Sequence, residues 1–187
     1  MEYYINSPVD KKELSILRAG DKVYLNGTVY TARDQAHKKM VEMLENEGIL
    51  PFEISGSAIY YVGPTPEKPG TAIGSAGPTT SGRMDKFSPV FLKLGNAIMI
   101  GKGIRSQEVK KAIVENGAVY LAAPGGAGAL LAGCIEKSTV IAFNELGCEA
   151  VRELVVKNMP LTVAIDTLGN DIYEIGPENF LHNRALL

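Results

Sequence analysis

Between residues 97 and 143 the sequence alternates short apolar runs with stretches of helical spacing, which limits the folds open to it. The apolar runs are 97–100, 118–122 and 139–143. Helical patterns begin near Ser106 and Gly126 and fill the two intervals between these runs. Strands that alternate with helices in this way predict a parallel sheet joined by right-handed crossovers.

Segments on either side of this unit indicate that the sheet is mixed. The run 22–31 is rich in strand formers and contains Asn26-Gly27, which predicts two short antiparallel strands joined by a hairpin turn. A short helix is predicted over 149–154, before the last strands. The sequence has no internal repeat and no interdomain linker. We therefore predict a single α/β domain over residues 1–187, with a mixed sheet in β/β/α layers.

An amphipathic helix is predicted over residues 35–47. Asp34 is placed to cap its first turn and Gly48 to end it. Arg33 then lies at a junction between a strand and a helix, where side chains commonly reach a ligand cleft. We predict structural roles for Asp34 and His37.

Composition excludes several classes of function. The chain has 45% hydrophobic and 21% charged residues and a net charge of −2, and its Lys and Arg residues are scattered, so no nucleic-acid partner is predicted. No run approaches the about 18 apolar residues that span a membrane, and no signal peptide is recognisable, so a cytoplasmic location is expected. Cys134 and Cys148 lie far in sequence from His37 and His182; the cysteines are predicted to be buried, reduced thiols, with no metal site.

The loop over residues 74–85 is the strongest candidate for a ligand site. Three glycines, at 74, 77 and 82, allow the backbone to approach a ligand closely. Hydroxyl groups lie between them, and Arg83 adds a planar cation suited to a carboxylate or a phosphate. The alternative is a surface turn cluster whose Ser and Thr residues are incidental.

Other catalytic signatures are missing from the sequence. The glycines at 125–128 lack dinucleotide-binding spacing and are predicted to pack a helix against the sheet, and there is no phosphate-binding P-loop or nucleophilic triad. The remaining constellation consists of Arg33, Arg83, Lys102, Thr79 and Thr80. Three cations with no local acidic partner suit a substrate with two carboxylates. With no strong base or metal-ligand set, the chain is predicted to form half of an active site.

Four segments resemble the C-terminal domain of class I iron-sulfur fumarases, and equally the separate β subunit of fumarases and L-tartrate dehydratases. They are SAGPTTSGRMD at 75–85, ARDQAH at 32–37, MIGKG at 99–103 and FNELGCEAV at 143–151. The resemblance spans about residues 14–180. It implies a swivelling β/β/α domain and a partner α subunit that holds a [4Fe-4S] cluster through three cysteines, in a heterodimer or heterotetramer.

The same resemblance implies roles for the candidate residues. Arg33 and Arg83 match the arginines that hold substrate carboxylates, and Lys102 completes the anion site, with Thr80 beside it. Thr79 matches the proposed general base, which takes the proton from the carbon next to a carboxylate. The cluster on the partner subunit would act as a Lewis acid on the departing hydroxyl.

The sequence therefore predicts the β subunit of a class I fumarate hydratase, which hydrates fumarate reversibly to L-malate. Two alternatives stay open. One is the β subunit of an L-tartrate dehydratase, whose substrate is also a C4 dicarboxylate. The other is a non-catalytic module that binds an anionic metabolite.

Overall fold

A computed structural model describes residues 1–177. Its helices are α1 (Lys11–Leu14), α2 (Asp34–Glu47), α3 (Ser88–Leu94), α4 (Gln107–Asn116) and α5 (Gly128–Gly133), with 3-10 turns at Ser81–Met84 and Asn144–Glu149. Its strands are β1 (Glu2–Ser7), β2 (Lys22–Thr31), β3 (Ala58–Tyr60), β4 (Ile98–Gly101), β5 (Val119–Ala122), β6 (Ile135–Ala142) and β7 (Val151–Ile165). Residues 172–177 are helical. The predicted core boundary at residue 180 and His182 lie outside the described residues.

The sheet combines a parallel run with a long antiparallel strand that closes it. Strands β1 to β5 are parallel neighbours in chain order. Strand β7 pairs antiparallel with both β2 and β5, so β2, β3, β4, β5 and β7 form a closed, barrel-like ring. The predicted α/β class with a mixed sheet is confirmed. The run 139–143 was wrongly predicted to join the parallel core, because β6 pairs only with β7 among the described strands.

The predicted hairpin at Asn26-Gly27 is wrong, because these residues lie inside the continuous strand β2. Gly27 has a φ of 90° and forms an irregularity in the pairing with β7. The Asn26 side chain accepts a hydrogen bond from the Asn158 N–H at 2.9 Å, across the two strands. A Cβ at residue 27 would collide with the Ser7 backbone, so glycine is required by the close approach of β1.

Two further boundaries differ from the prediction. The predicted helix over 149–154 is wrong, since the 3-10 turn Asn144–Glu149 ends there and β7 begins at Val151. Helix α2 agrees with the prediction and ends at Gly48 in the left-handed conformation, but Arg33 rather than Asp34 is its N-cap residue.

Strands β3, β4 and β5 are buried on both faces. Tyr60, Ile98 and Leu121 belong to the larger apolar cluster, which also includes β2 and β7 residues such as Val23 and Leu154. Alternate residues of the same strands belong to a second cluster with the inner faces of the helices, namely Ile59, Met99, Tyr120, Met40, Phe91 and Ile113. This double burial explains the continuous apolar runs in the sequence. Among residues 1–177, no helix has the length and apolar character that crossing a bilayer requires.

Candidate active site

The candidate site forms where the carboxyl ends of β3 and β4 separate. The Thr79 N–H donates to Tyr61 O at 2.7 Å, and the Lys102 N–H donates to Thr79 O at 3.3 Å. The Ser81 N–H completes the pattern by donating to Lys102 O at 2.8 Å. Residues 79–81 are thus wedged between the two strand ends, beside the turn that carries Lys102. The carboxyl ends of parallel strands are the usual place for a ligand crevice.

Arg83 lies in the 3-10 turn Ser81–Met84, which follows residues 79–80, and forms a two-point ion pair with Asp34. Its Nε donates to Asp34 Oδ1 at 3.0 Å, and its Nη2 lies 2.7 Å from Asp34 Oδ2. The Arg83 side chain is 49% exposed, so part of its guanidinium stays open to a ligand.

Arg33 lies at the start of α2, directly after β2, and also has acidic neighbours. Its Nε is 4.0 Å from Asp34 Oδ2, and its Nη2 is 3.4 Å from Glu149 Oε1. The prediction that the cations have no local acidic partner is therefore wrong for both arginines. Asp34 contacts both Arg33 and Arg83 and so links the two arginines. The sequence predicted only a helix-capping role for Asp34.

Lys102 is exposed and has no ion-pair partner among the described residues. Its Cδ would lie 4.0 Å from a Cβ built at Gly125, so the glycine-rich turn after β5 borders the lysine stem. The Ala76 N–H donates to Gly128 O at 3.0 Å, and a Cβ at residue 128 would collide with Ser75 Oγ. The glycines at 125–128 therefore pack against the 74–77 loop and Lys102, and not simply against the sheet as predicted.

The hydroxyl groups of Thr79 and Thr80 are not used to hold the loop together. Elsewhere in this region the Thr65 and Thr71 hydroxyls accept hydrogen bonds from backbone N–H groups at 2.8 and 3.0 Å. Within residues 1–177, neither Thr79 nor Thr80 forms such a bond; Thr79 is half-buried and Thr80 exposed. Both hydroxyls are therefore without a hydrogen-bond partner in the described part of the chain.

The 3-10 turn Asn144–Glu149 covers one side of Arg33. It packs against α2 through Lys39 and Glu145 and presents Glu149 to Arg33. Cys148 is exposed here, and Cys134 is partly buried near the end of α5. Both are free thiols as predicted, but the prediction that both are buried is wrong, since Cys148 is exposed and Cys134 is only partly buried.

His37 is fully buried in α2 between aromatic rings and does not face the crevice. Its Nδ1 lies 2.8 Å from Arg33 O, so the proton is on Nδ1 and the imidazole helps to fix the first turn of α2. The rings of Tyr61, Phe87 and Phe91 surround it. Burial lowers the pKa of His37 to about 4, with a smaller lowering from Arg105.

This burial predicts a specific dependence of stability on pH. The folded chain keeps His37 neutral while the unfolded chain takes up a proton below pH about 6.5, so stability falls as the pH is lowered from 6.5 towards 4. The loss assigned to His37 is roughly 3 kcal/mol. Urea unfolding of wild type and His37→Asn across this range measures it, because asparagine keeps a donor for Arg33 O but does not titrate. Equal pH profiles for the two proteins would contradict the assignment.

Comparison with known families places this chain, with its closed mixed sheet and its threonine, arginine and lysine side chains near two strand ends, in one of them. The family model described as fumarase C-terminus matches residues 2–176. The chain is thus a member of the fumarase C-terminal family, and the resemblance noted in the sequence is confirmed.

Curated relatives of the chain are named as hydro-lyases. A protein of Methanocaldococcus jannaschii with the provisional name L(+)-tartrate dehydratase subunit beta is 47% identical over 180 residues, which are 93% of this chain and 92% of the relative. Fumarate hydratase 2 of Leishmania major is 43% identical over 90% of this chain and 30% of its own length. The aerobic class I fumarate hydratase of Escherichia coli K12 is 38% identical over 91% of this chain and 32% of its own length. The chain therefore spans nearly all of the first relative and about a third of the other two.

Proposed function

We propose that this chain is the β subunit of a class I iron-sulfur fumarate hydratase, which hydrates fumarate reversibly to L-malate. The observation that supports it most is the position of residues 79–81 between the ends of β3 and β4, where backbone hydrogen bonds join Thr79 and Ser81 to Lys102. Arg83 follows in the 3-10 turn Ser81–Met84. Arg33 joins this group through Asp34. We further propose that residues 1–187 form a single domain.

In this proposal the cations bind the carboxylates of the substrate and Thr79 moves a proton. Arg33, Arg83 and Lys102 would hold a C4 dicarboxylate, with the Thr80 hydroxyl as a further donor. In the dehydration direction the Thr79 oxygen would take the proton from the carbon next to a carboxylate, and in hydration it would return it. A threonine hydroxyl is a weak base, so a nearby cation must stabilise its deprotonated form. Lys102, which has no acidic partner among the described residues, is suited to that role.

The iron-sulfur cluster is proposed to belong to a partner α subunit. Within residues 1–177, no three His, Cys, Asp or Glu side chains are grouped as metal ligands. Cys134 contacts the carbonyl groups of Leu130 and Asn158, away from the crevice, while Cys148 is exposed beside Arg33. The described residues therefore do not offer a set of ligands that fits an iron-sulfur cluster.

L-Tartrate dehydration is the second candidate, and one observation favours it. The relative with the tartrate dehydratase subunit name is 47% identical to this chain, whereas the two fumarate hydratases are 43% and 38% identical. The same three cations would suit either dicarboxylate. Assays of one assembled preparation with L-malate, fumarate and L-tartrate would separate the two candidates.

The isolated chain is expected to show no hydratase activity and to retain no iron-sulfur cluster. The experiment is anaerobic co-expression with a candidate α chain, sought among the reading frames of the same genome by its cluster-binding cysteines, followed by activity and visible absorption measurements on the complex and on each chain alone. Activity that requires both chains supports the proposal. A stable cluster on the isolated chain, or an inactive complex whose β chain still binds a dicarboxylate, would contradict it; the second result favours the non-catalytic binding module.

A further inference from the structure

Beneath the loop that carries Thr79 and Arg83 lies a charged side chain with no place in the proposed reaction. Arg105 follows β4, and its side chain is 0% exposed. Its guanidinium stands near two aromatic rings, 5.0 Å from the ring centre of Tyr120 and 5.4 Å from that of Tyr61. Nothing in the sequence indicated that Arg105 is buried. It directly precedes Ser106, the capping residue of a helix, where an exposed arginine would be equally ordinary.

The polar contacts of Arg105 join two segments of the candidate site. Its Nε donates to Asp85 Oδ1 at 2.7 Å, and its Nη2 donates to Ser88 Oγ at 2.7 Å. Asp85 Oδ2 in turn accepts from the Ser106 N–H at 2.6 Å. The loop that ends at Asp85 is thereby tied to the turn between β4 and α4, which begins with Lys102.

A second set of hydrogen bonds runs beside the first and joins the same segments. Ser81 Oγ lies 2.9 Å from the Tyr120 hydroxyl, which donates to Gly103 O at 3.0 Å. A Cβ at Gly101 would collide with Ser81 Oγ, so the glycine admits this contact. Loop and turn are therefore joined both by the Arg105 ion pair and by Tyr120.

A largely buried ion pair such as Arg105–Asp85 is weak evidence for a contribution to stability. Removing two charges from water costs free energy that their attraction repays only in part, so buried pairs are often no more stabilising than apolar residues of similar volume. Their best-attested use is to hold one arrangement in preference to others. Here that arrangement is the spacing between the Arg83 loop and the Lys102 turn.

We propose that Arg105, together with Asp85, is a positioning residue that sets the separation of Arg83 and Lys102 across the candidate site. The expected effect on catalysis rests on the proposed function, whereas the expected effect on the spacing does not. The geometry itself can be measured without activity, because the Ser81 and Lys102 amides join the two segments.

The test compares Arg105→Met with the double variant Arg105→Met/Asp85→Asn in the full chain and in the assembled complex. The single variant leaves Asp85 without its cation, whereas the asparagine that replaces it in the double variant is uncharged and still offers an acceptor to the Ser106 N–H. Arg18→Met is the matched control, since Arg18 is exposed at the turn before β2 and its side chain bonds only to neighbouring carbonyl groups among the described residues.

We expect the double variant to recover most of the melting temperature lost in Arg105→Met without recovering function. Hydrogen exchange at the Ser81 and Lys102 amides should be at least about 10-fold faster than in wild type, while the β5 amides stay protected. In the complex, kcat/KM should fall at least about 10-fold, with a higher KM for the dicarboxylate. Asp85→Asn removes the charge from the partly exposed side of the same ion pair, and serves as the measured variant if the Arg105 variants do not fold.

Two results would overturn the inference. One is wild-type exchange at Ser81 and Lys102 in the double variant or, where it is the measured variant, in Asp85→Asn. The other is faster exchange with unchanged kcat/KM in a complex where Arg83→Lys does reduce kcat/KM. If Arg83→Lys also leaves kcat/KM unchanged, the assignment of the substrate site fails, while the exchange data still decide whether Arg105 sets the spacing.

Discussion

Thr79→Val should lower kcat of the assembled enzyme by about 10²-fold or more. Valine keeps the shape of threonine and removes the hydroxyl proposed to move the proton. Dicarboxylate binding should survive, because Arg33, Arg83 and Lys102 are unchanged. The fold should also survive, since Thr79 is held through its backbone, by Tyr61 O and by the Lys102 N–H.

Thr80→Val is the matched control for this change. Thr80 is the next residue in the same loop, is exposed, and likewise makes no side-chain hydrogen bond among the described residues. Its substitution should have a smaller effect on kcat. Kinetics, inhibitor affinity and melting temperature should be measured for both variants in anaerobically prepared complex. Normal turnover by Thr79→Val would remove the base from this subunit and leave the chain with carboxylate binding only.

Arg83→Lys should weaken transition-state stabilisation by roughly 2–4 kcal/mol, a fall in kcat/KM of about 30- to 900-fold. Lysine keeps the charge but lacks the planar fork of arginine, whose Nε donates to Asp34 Oδ1 and whose Nη2 lies 2.7 Å from Asp34 Oδ2 in Arg83. KM should rise and kcat should fall. Arg33→Lys should behave similarly, because Arg33 also lies beside Asp34.

Asp34→Asn separates the part of this effect that comes from the ion pair. If Arg83 acts on substrate, Arg83→Lys should remain deleterious in the Asp34→Asn background, and the difference between the two backgrounds measures the coupling. A kcat/KM near wild type for Arg83→Lys would withdraw Arg83 from the site. The same criterion applies separately to Arg33.

Local sequence patterns were sufficient where neighbouring residues decide the structure. Helix α4 begins after the Ser106 cap and α2 ends at Gly48, as their capping residues predict. The pattern failed at Asn26-Gly27, whose conformation is decided by β1 and by β7. Asn26 bonds to Asn158, 132 positions away, and a hairpin signal contains no information about such a partner.

The same distinction applies to the candidate site: contiguous motifs could be recognised from the sequence, but contacts between distant segments could not. The motif around Thr79 and Arg83 and the turn at Lys102 could be recognised because each is a short contiguous segment. The acidic partners of the two arginines could not be predicted. Asp34 lies 49 positions from Arg83 in the sequence, and Glu149 contacts Arg33 from another part of the fold. Arg105 escaped prediction for a different reason: its role depends on burial, and an arginine after a strand is ordinarily exposed.

The closed ring has a consequence for how the chain folds. Strand β7 is the pairing partner of β2, β5 and β6, so these three strands keep an unpaired edge until Val151–Ile165 has been synthesised and added. If the parallel strands β1 to β5 pair before β7 is made, they form an open sheet with unpaired edges, and such sheets tend to associate with other chains. Closure joins segments at opposite ends of the described sequence, and contacts of such high order make folding slow. We therefore expect a newly made chain to be most prone to association before β7 is added.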